Sequence, residues 1–205
     1  MTAPRLAGRW PALRTAAALA AVALLGAFSA APRAQSVVLD VGSRAPVFQG
    51  TTSDGQPWRS RDHVGRRFVV VYFYPAAMTG GCTEQACAFR DNRSQLQALG
   101  AEVVGVSGDR AANLRTFARS NRLNFPLVAD TRGRIARAFG VPVGEGGRIT
   151  RTVDGREVEL TRDVTAARWT FIIGRDGRIA YKDTDVDPAG DGEAVVAALR
   201  RLSRG

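Results

Sequence analysis

Cys82 and Cys87 are the two cysteines of a 205-residue chain, and they stand five positions apart in the stretch Tyr72-Phe73-Tyr74-Pro75-Ala76-Ala77-Met78-Thr79-Gly80-Gly81-Cys82-Thr83-Glu84-Gln85-Ala86-Cys87. The apolar run Phe68 to Tyr74 reads as a buried strand, the Pro/Gly segment after it as a loop, and the pattern beyond as a helix with Cys82 in its first turn. A helix N-terminus presents unpaired N–H groups and the positive end of the helix dipole, which favours a thiolate over a thiol. Cys82 is therefore a candidate nucleophile.

Other chemistries find little support. His63 is the one histidine, in the polar segment Arg59 to Gly65, and reads as a solvated loop residue. One histidine and two closely spaced cysteines lack the four-ligand spacing of a zinc site, so no metal is expected. Cys–His or Ser–His catalysis would need His63 to fold back onto the loop. Glycine-rich nucleotide loops are missing, and no cofactor is implied. The ordinary alternative for two cysteines in an exported protein is a stabilising disulfide. A bridge over so short a loop removes little unfolded-state entropy, which argues for a reactive pair instead. Thr79 lies three residues before Cys82 and Pro75 four before Thr79, giving the pattern P-x-x-x-T-x-x-C.

The elements that must position this stretch are legible in outline. Pro46-Val47-Phe48 and Gln56-Pro57-Trp58 flank the turn Asp54-Gly55, an N-terminal β-hairpin. After the strand Phe68 to Tyr74, a helix from about Thr79 to Leu99 places Ala86, Phe89, Leu96 and Leu99 near one face. Strands at Ala101 to Val106 and Leu127 to Ala129 alternate with helices at Ala111 to Asn121 and Ile135 to Phe139, the last closed by Gly140. This β-α-β-α order implies parallel strands with right-handed crossovers. Trp169 to Ile173 and Ile179 to Tyr181 then flank the turn Gly174-Arg175-Asp176-Gly177 as an antiparallel pair, before a closing helix Gly192 to Leu202. Parallel strands, an antiparallel pair and a terminal helix make the order of an α/β, thioredoxin-like fold with a central mixed sheet flanked by helices. An extra hairpin is expected near 148–161, around Asp154-Gly155, with Ile149, Val158 and Leu160 on its apolar side. It reads as a surface hairpin resting on the domain; a partner-docking or dimer element is the alternative.

Residues 1–34 read as a secretory signal, with Arg5, Arg9 and Arg14 in a basic n-region and Thr15 to Phe28 as the apolar segment. Cleavage is expected between 29 and 34, which leaves 35–205 as a single domain. Neither a twin-arginine pair nor a lipobox cysteine is present, so Sec-type export to the periplasm is the favoured reading and an uncleaved anchor the alternative. No stable membrane insertion is expected once the signal is removed. The net charge of +10 invites a nucleic-acid partner, but all 29 basic residues except Lys182 are arginines scattered along the chain rather than clustered with aromatics. Removal of the four arginines in 1–34, with no acidic residue lost, lowers the charge to +6. No nucleic-acid role is expected.

The run Phe73-Tyr74-Pro75 through Thr79-Gly80-Gly81-Cys82-Thr83-Glu84-Gln85-Ala86-Cys87-Ala88-Phe89-Arg90-Asp91 resembles a peroxiredoxin of the Q type, the bacterioferritin-comigratory-protein group. The resemblance extends from about Val41 to Val141, including Asn124-Phe125-Pro126-Leu127, and resumes from Arg168 to Leu202. It implies a thiol peroxidase acting on hydrogen peroxide and organic hydroperoxides. Cys82 matches the peroxidatic cysteine, which becomes a sulfenic acid, and Cys87 the resolving cysteine, which forms an intramolecular disulfide with it. Thr79 matches the threonine whose hydroxyl holds thiolate and peroxide, Pro75 the proline that shields the pocket, and Arg168 the arginine that points into the site. A thioredoxin-like protein reductant is implied as partner, and the chain is expected to work as a monomer. Three features depart from the pattern: Gly80 stands where proline is usual, the segment 148–161 is longer, and the chain carries an export signal. An exported thiol–disulfide oxidoreductase remains the enzyme alternative, although its C-x-x-C is missing. A non-enzymatic binding module is the alternative from another class.

Overall fold

The strand Phe68–Phe73 is buried along its whole length, as an unbroken β-branched and aromatic run requires when both faces of a sheet are covered. The structure, a computed structural model, describes residues 39–204; the expected signal 1–34 and its cleavage interval lie outside them. In chain order the elements are β1 (Gln49–Thr52), β2 (Pro57–Arg59), β3 (Phe68–Phe73), α1 (Gly80–Asp91), α2 (Arg93–Ala98), β4 (Ala101–Ser107) and α3 (Ala111–Ser120). They continue with β5 (Leu127–Ala129), α4 (Arg134–Ala138), β6 (Val143–Val153), β7 (Arg156–Ala166), β8 (Trp169–Ile173), β9 (Ile179–Asp183) and α5 (Asp191–Leu202).

Seven strands form one sheet in the order β2-β1-β5-β4-β3-β8-β9. β3, β4 and β5 run parallel, while β8, β9 and the β1–β2 hairpin are antiparallel to their neighbours. The period of two along β3 splits the core. Val70, Tyr72 and Tyr74 face Ala86 and Phe89 of α1, Phe117 of α3 and Leu199 of α5. Val69, Val71 and Phe73 face the other way, onto Phe139, Phe171 and the N-terminal Phe48. The expected thioredoxin-like mixed sheet flanked by helices is the observed fold.

Details differ from the sequence reading. The helix expected over 79–99 is two helices broken at Asn92, whose backbone leaves helical values (φ −87°, ψ 3°) while its side-chain amide donates to the Ala88 carbonyl at 3.0 Å. Such a local bond competes with helix continuation. The N-terminal hairpin begins at Gln49 instead of Pro46, which has no N–H to give to a ladder. Phe48 packs into the core against Trp58 and Phe139 at 5.0 and 5.5 Å between ring centres.

His63 is not a solvated loop residue. Its ring stacks on Trp58 at 4.6 Å, and its Nδ1 lies 2.5 Å from the half-buried carboxylate of Glu102 at the start of β4. An apolar face and an acceptor hold it at the far end of the sheet from the cysteine loop.

The extra hairpin is longer than 148–161, because β6 and β7 pair from Val143↔Ala166 to Val153↔Arg156. Asp154 and Gly155, both at positive φ, close it as the sequence requires. It rests on the domain. Leu160 is buried, Asn113 donates to the Thr161 carbonyl at 2.6 Å, and the Asp163 N–H donates to the Gly108 carbonyl at 3.2 Å. A Cβ at Gly108 would stand 2.0 Å from the Val164 carbonyl oxygen, so only glycine permits this approach.

Candidate active site

β3 delivers the chain into a loop, 74–79, that several elements hold in place. Half-buried Pro75 follows Tyr74. The Ala77 N–H donates to Asp109 Oδ2 at 2.9 Å, and the Ser107 hydroxyl donates to the same oxygen at 2.9 Å. Burial pushes the Asp109 carboxyl up, against the pull of these bonds. Met78 takes the left-handed conformation (φ 63°), and Arg151 of β6 donates from Nε to its carbonyl at 2.9 Å.

Thr79 is the N-cap of α1 in extended backbone, but its hydroxyl does not cap the helix. It donates to the Ala76 carbonyl at 2.8 Å instead. The first main-chain bond at this helix end runs from the Thr83 N–H to the Thr79 carbonyl. The amides of Gly80, Gly81 and Cys82 thus have no main-chain acceptor among the described residues, and the positive end of α1 falls at the Cys82 position.

Strand register explains how Arg168 reaches this point. β8 runs antiparallel to β3 with Phe73 opposite Trp169, so Arg168 lies beside the chain as it leaves β3. Its Nη2 stands 3.5 Å from Cys82 Sγ, and its Nη1 donates to Gln85 Oε1 at 2.6 Å and approaches the Gly81 carbonyl at 3.5 Å. Gly81 leaves room for this. A Cβ there would meet Arg168 Nη2 at 3.4 Å and Pro188 Cγ at 3.3 Å.

Both cysteines are free thiols, Cys82 buried and Cys87 half-exposed, and both belong to the unbroken helix α1. Five residues of helix mean about 7.5 Å of rise and about 140° of rotation, so their Cα atoms are about 8–9 Å apart. A disulfide spans at most about 7 Å between Cα atoms.

Beneath Arg168 lies a polar group that sequence reasoning did not find. Gln85 and Asp191 are buried, and Gln85 Nε2 donates to Asp191 Oδ2 at 2.6 Å. The Thr170 hydroxyl donates to the same oxygen at 2.7 Å, and Asp191 Oδ1 has no partner among the described residues. Burial pushes the Asp191 carboxyl up to about 6 despite the two donors. Gln85 stands one helical turn after Cys82, a spacing that could have marked it. Asp191 lies more than a hundred residues away in the sequence and carried no mark.

Tyr72 and Tyr74, stacked at 5.3 Å, complete the buried floor; burial raises both phenols well above their ordinary range and keeps them neutral. His63 does not enter the site. Among the described residues no group of three or more His, Cys, Asp or Glu is placed to hold a metal.

A buried cysteine at a helix N-terminus, faced by a fixed guanidinium, suits attack on an electrophilic oxygen. Comparison with known proteins agrees. The AhpC/TSA family profile matches residues 41–182. A putative peroxiredoxin of Mycobacterium tuberculosis is 39% identical over 163 residues, covering 80% of this chain and 94% of its own. Peroxiredoxin Bcp of Escherichia coli K12 is 36% identical over 162 residues, covering 79% and 96%. Among solved structures, the bacterioferritin comigratory protein of Xanthomonas campestris, described for its alkyl peroxide reduction activity, superposes with a TM-score of 0.65 at 27% identity over 80% of this chain and 99% of its own. The chain belongs to the AhpC/TSA family and is a peroxiredoxin of the Bcp and Q type, a thiol-dependent peroxidase.

Proposed function

We propose that Cys82 is the thiol that attacks peroxide and that Cys87 resolves it. The 3.5 Å approach of Arg168 Nη2 to Cys82 Sγ carries this reading, because a guanidinium at that distance favours the thiolate and the negative charge that develops on the leaving oxygen. The Cys82 thiolate displaces RO⁻ from ROOH, the leaving oxygen takes a proton, and the products are a Cys82 sulfenic acid and ROH. The Thr79 hydroxyl has its proton engaged by Ala76, so its lone pairs are free to accept from the peroxide O–H. Pro75 shields the pocket. The Cys87 thiol then condenses with the sulfenic acid, releasing water and forming an intramolecular disulfide. A thioredoxin-like dithiol protein reduces that disulfide and is itself oxidised.

Cys82→Ser is expected to abolish peroxide consumption with a dithiol reductant, whereas Cys87→Ser still allows one turnover to a sulfenic acid. Equal loss of the first turnover in both variants would overturn the assignment. The basic n-region and apolar segment of residues 1–34 support export to the periplasm by a cleaved signal, where the chain acts as a monomer. Mass spectrometry of the protein from its host is expected to find a chain beginning between 30 and 35. An intact chain in the cytoplasm would remove the export reading, and a dimer by light scattering would remove the monomer.

A further inference from the structure

Asp191 opens α5 and is 2% exposed, and among the described residues it has no cation in hydrogen-bonding contact. One of its oxygens takes two short bonds, from Gln85 Nε2 at 2.6 Å and from the Thr170 hydroxyl at 2.7 Å, and the other takes none. The amide it holds is fully buried and leads directly to the site, because Gln85 Oε1 accepts from Arg168 Nη1 at 2.6 Å. Arg168 Nη2 then faces Cys82 Sγ at 3.5 Å.

The orientation of Gln85 is dictated by chemistry. An ionised carboxylate can only accept and a guanidinium can only donate, so the amide must turn its nitrogen to Asp191 and its oxygen to Arg168. Remove the acceptor at 191 and the amide loses the partner that sets its direction; a flipped amide would point N–H donors at a guanidinium that has none to accept. Arg168 would then lose the bond that fixes one edge of its plane, and the other edge is the one against Cys82.

We propose that Asp191 is a positioning residue for the peroxide reaction, acting through Gln85 to hold the Arg168 guanidinium against Cys82. The relay joins the N-terminus of α5 to the first turns of α1 and the start of β8, elements that have no local reason to keep Arg168 aligned. An acid at the first position of a helix is also favourable to the helix itself. The test must therefore separate a bond that acts through Arg168 from one that merely holds α5. The inference rests on the reading of Cys82 as the attacking thiol.

The experiment measures the second-order rate of hydrogen peroxide with the Cys87→Ser protein, by trapping the sulfenic acid, in a cycle of Asp191→Ala and Arg168→Met. Asp191→Ala is expected to slow the reaction about 10-fold in the parent and by less than about two-fold once Arg168 is methionine, since residues acting through one contact are not additive. Asp191→Asn, whose Oδ1 can accept from both Gln85 and Thr170, is expected to stay within about three-fold of the parent. If Asp191→Ala does not fold, Gln85→Met takes its place in the cycle with the same expectation. Additive losses in the two backgrounds, no loss in the parent, or an asparagine variant as slow as alanine would each overturn the proposal. Cys82→Ser with Cys87 left intact, run alongside, keeps the two readings apart: if peroxide still produces a trapped sulfenic acid at the parent rate without Cys82, the reading of Cys82 fails, and only if that acid depends on Cys82 does the cycle judge Asp191.

Discussion

Arg168 Nη2 stands 3.5 Å from Cys82 Sγ across a sequence separation of 86 residues. The contact depends on the β3–β8 register, in which Phe73 faces Trp169. Arg168 stands one residue from that pair, and the loop 74–79 leads from it to the N-terminus of α1, so a guanidinium and a helix N-terminus meet at the same thiol.

Replacing Arg168 with methionine keeps the apolar stem and deletes the charge. The rate of the Cys82 thiol with peroxide is expected to fall about 10²-fold or more, the scale of losing one donor to a developing anion. Stopped-flow measurement in the Cys87→Ser background checks it. An unchanged rate would show that the guanidinium does nothing for the thiolate.

Formation of the Cys82–Cys87 disulfide is expected to melt the start of α1. The two Cα atoms are about 8–9 Å apart in an intact helix and a disulfide tolerates about 7 Å. The weak side is the N-terminal one, where Gly80 and Gly81 precede a turn with unbonded amides. Amide exchange of the oxidised protein should show loss of protection between Thr83 and Cys87. An internal disulfide with 82–87 still helical would sink the geometric argument, and intermolecular disulfides alone would dismiss Cys87 as the internal partner.

Arg151 holds the Met78 carbonyl one residue before the N-cap of α1. Arg151→Met removes the hydrogen bond to Met78, worth about 1 kcal/mol, together with an exposed one to its chain neighbour Thr150. Exchange of the Thr83 amide, the first main-chain donor of the helix, is expected to quicken about five-fold in the reduced protein. Exchange at β3 should not change. Identical Thr83 protection in both proteins would mean that the hairpin does not restrain the turn.

Asp191 gives a pH dependence with a definite sign. Below its ordinary value of 3.8 the carboxyl is protonated in both folded and unfolded chains. Between 3.8 and about 6 only the unfolded chain ionises, so the stability associated with the neutral, buried acid is lost as pH rises and is gone above about 6. Asp191→Asn never ionises. It should therefore gain stability over the parent between pH 4 and pH 7, by about 1 to 3 kcal/mol. Urea unfolding at pH 4, 5 and 7 decides it, and a constant difference across that range would show that Asp191 carries no burial cost.

Much of this molecule was legible before any coordinates. The run Phe68–Tyr74 announced a strand covered on both faces, and the turn residues Asp154 and Gly155 announced a hairpin, because period, side-chain branching and positive φ are local properties. The pattern around Pro75, Thr79, Cys82 and Cys87 is also local, lying within one strand, one loop and one helix. Misjudgements had two causes. Asn92 breaks a helix through a local side-chain bond to Ala88 that its neighbours would not suggest, and His63 leaves solvent for the distant Trp58 and Glu102.

The partners of the thiol belong to the tertiary structure. Apart from the family resemblance that singled it out, Arg168 is one arginine among many until the antiparallel pairing of β8 with β3 sets it beside Cys82. Gln85 reads as an ordinary helix residue until α5 places Asp191 behind it. A sequence states which groups can accept, donate or ionise. Only packing brings an acceptor from the end of the chain to within 2.6 Å of an amide in the first helix, and excludes the water that would otherwise weaken every charge in the site.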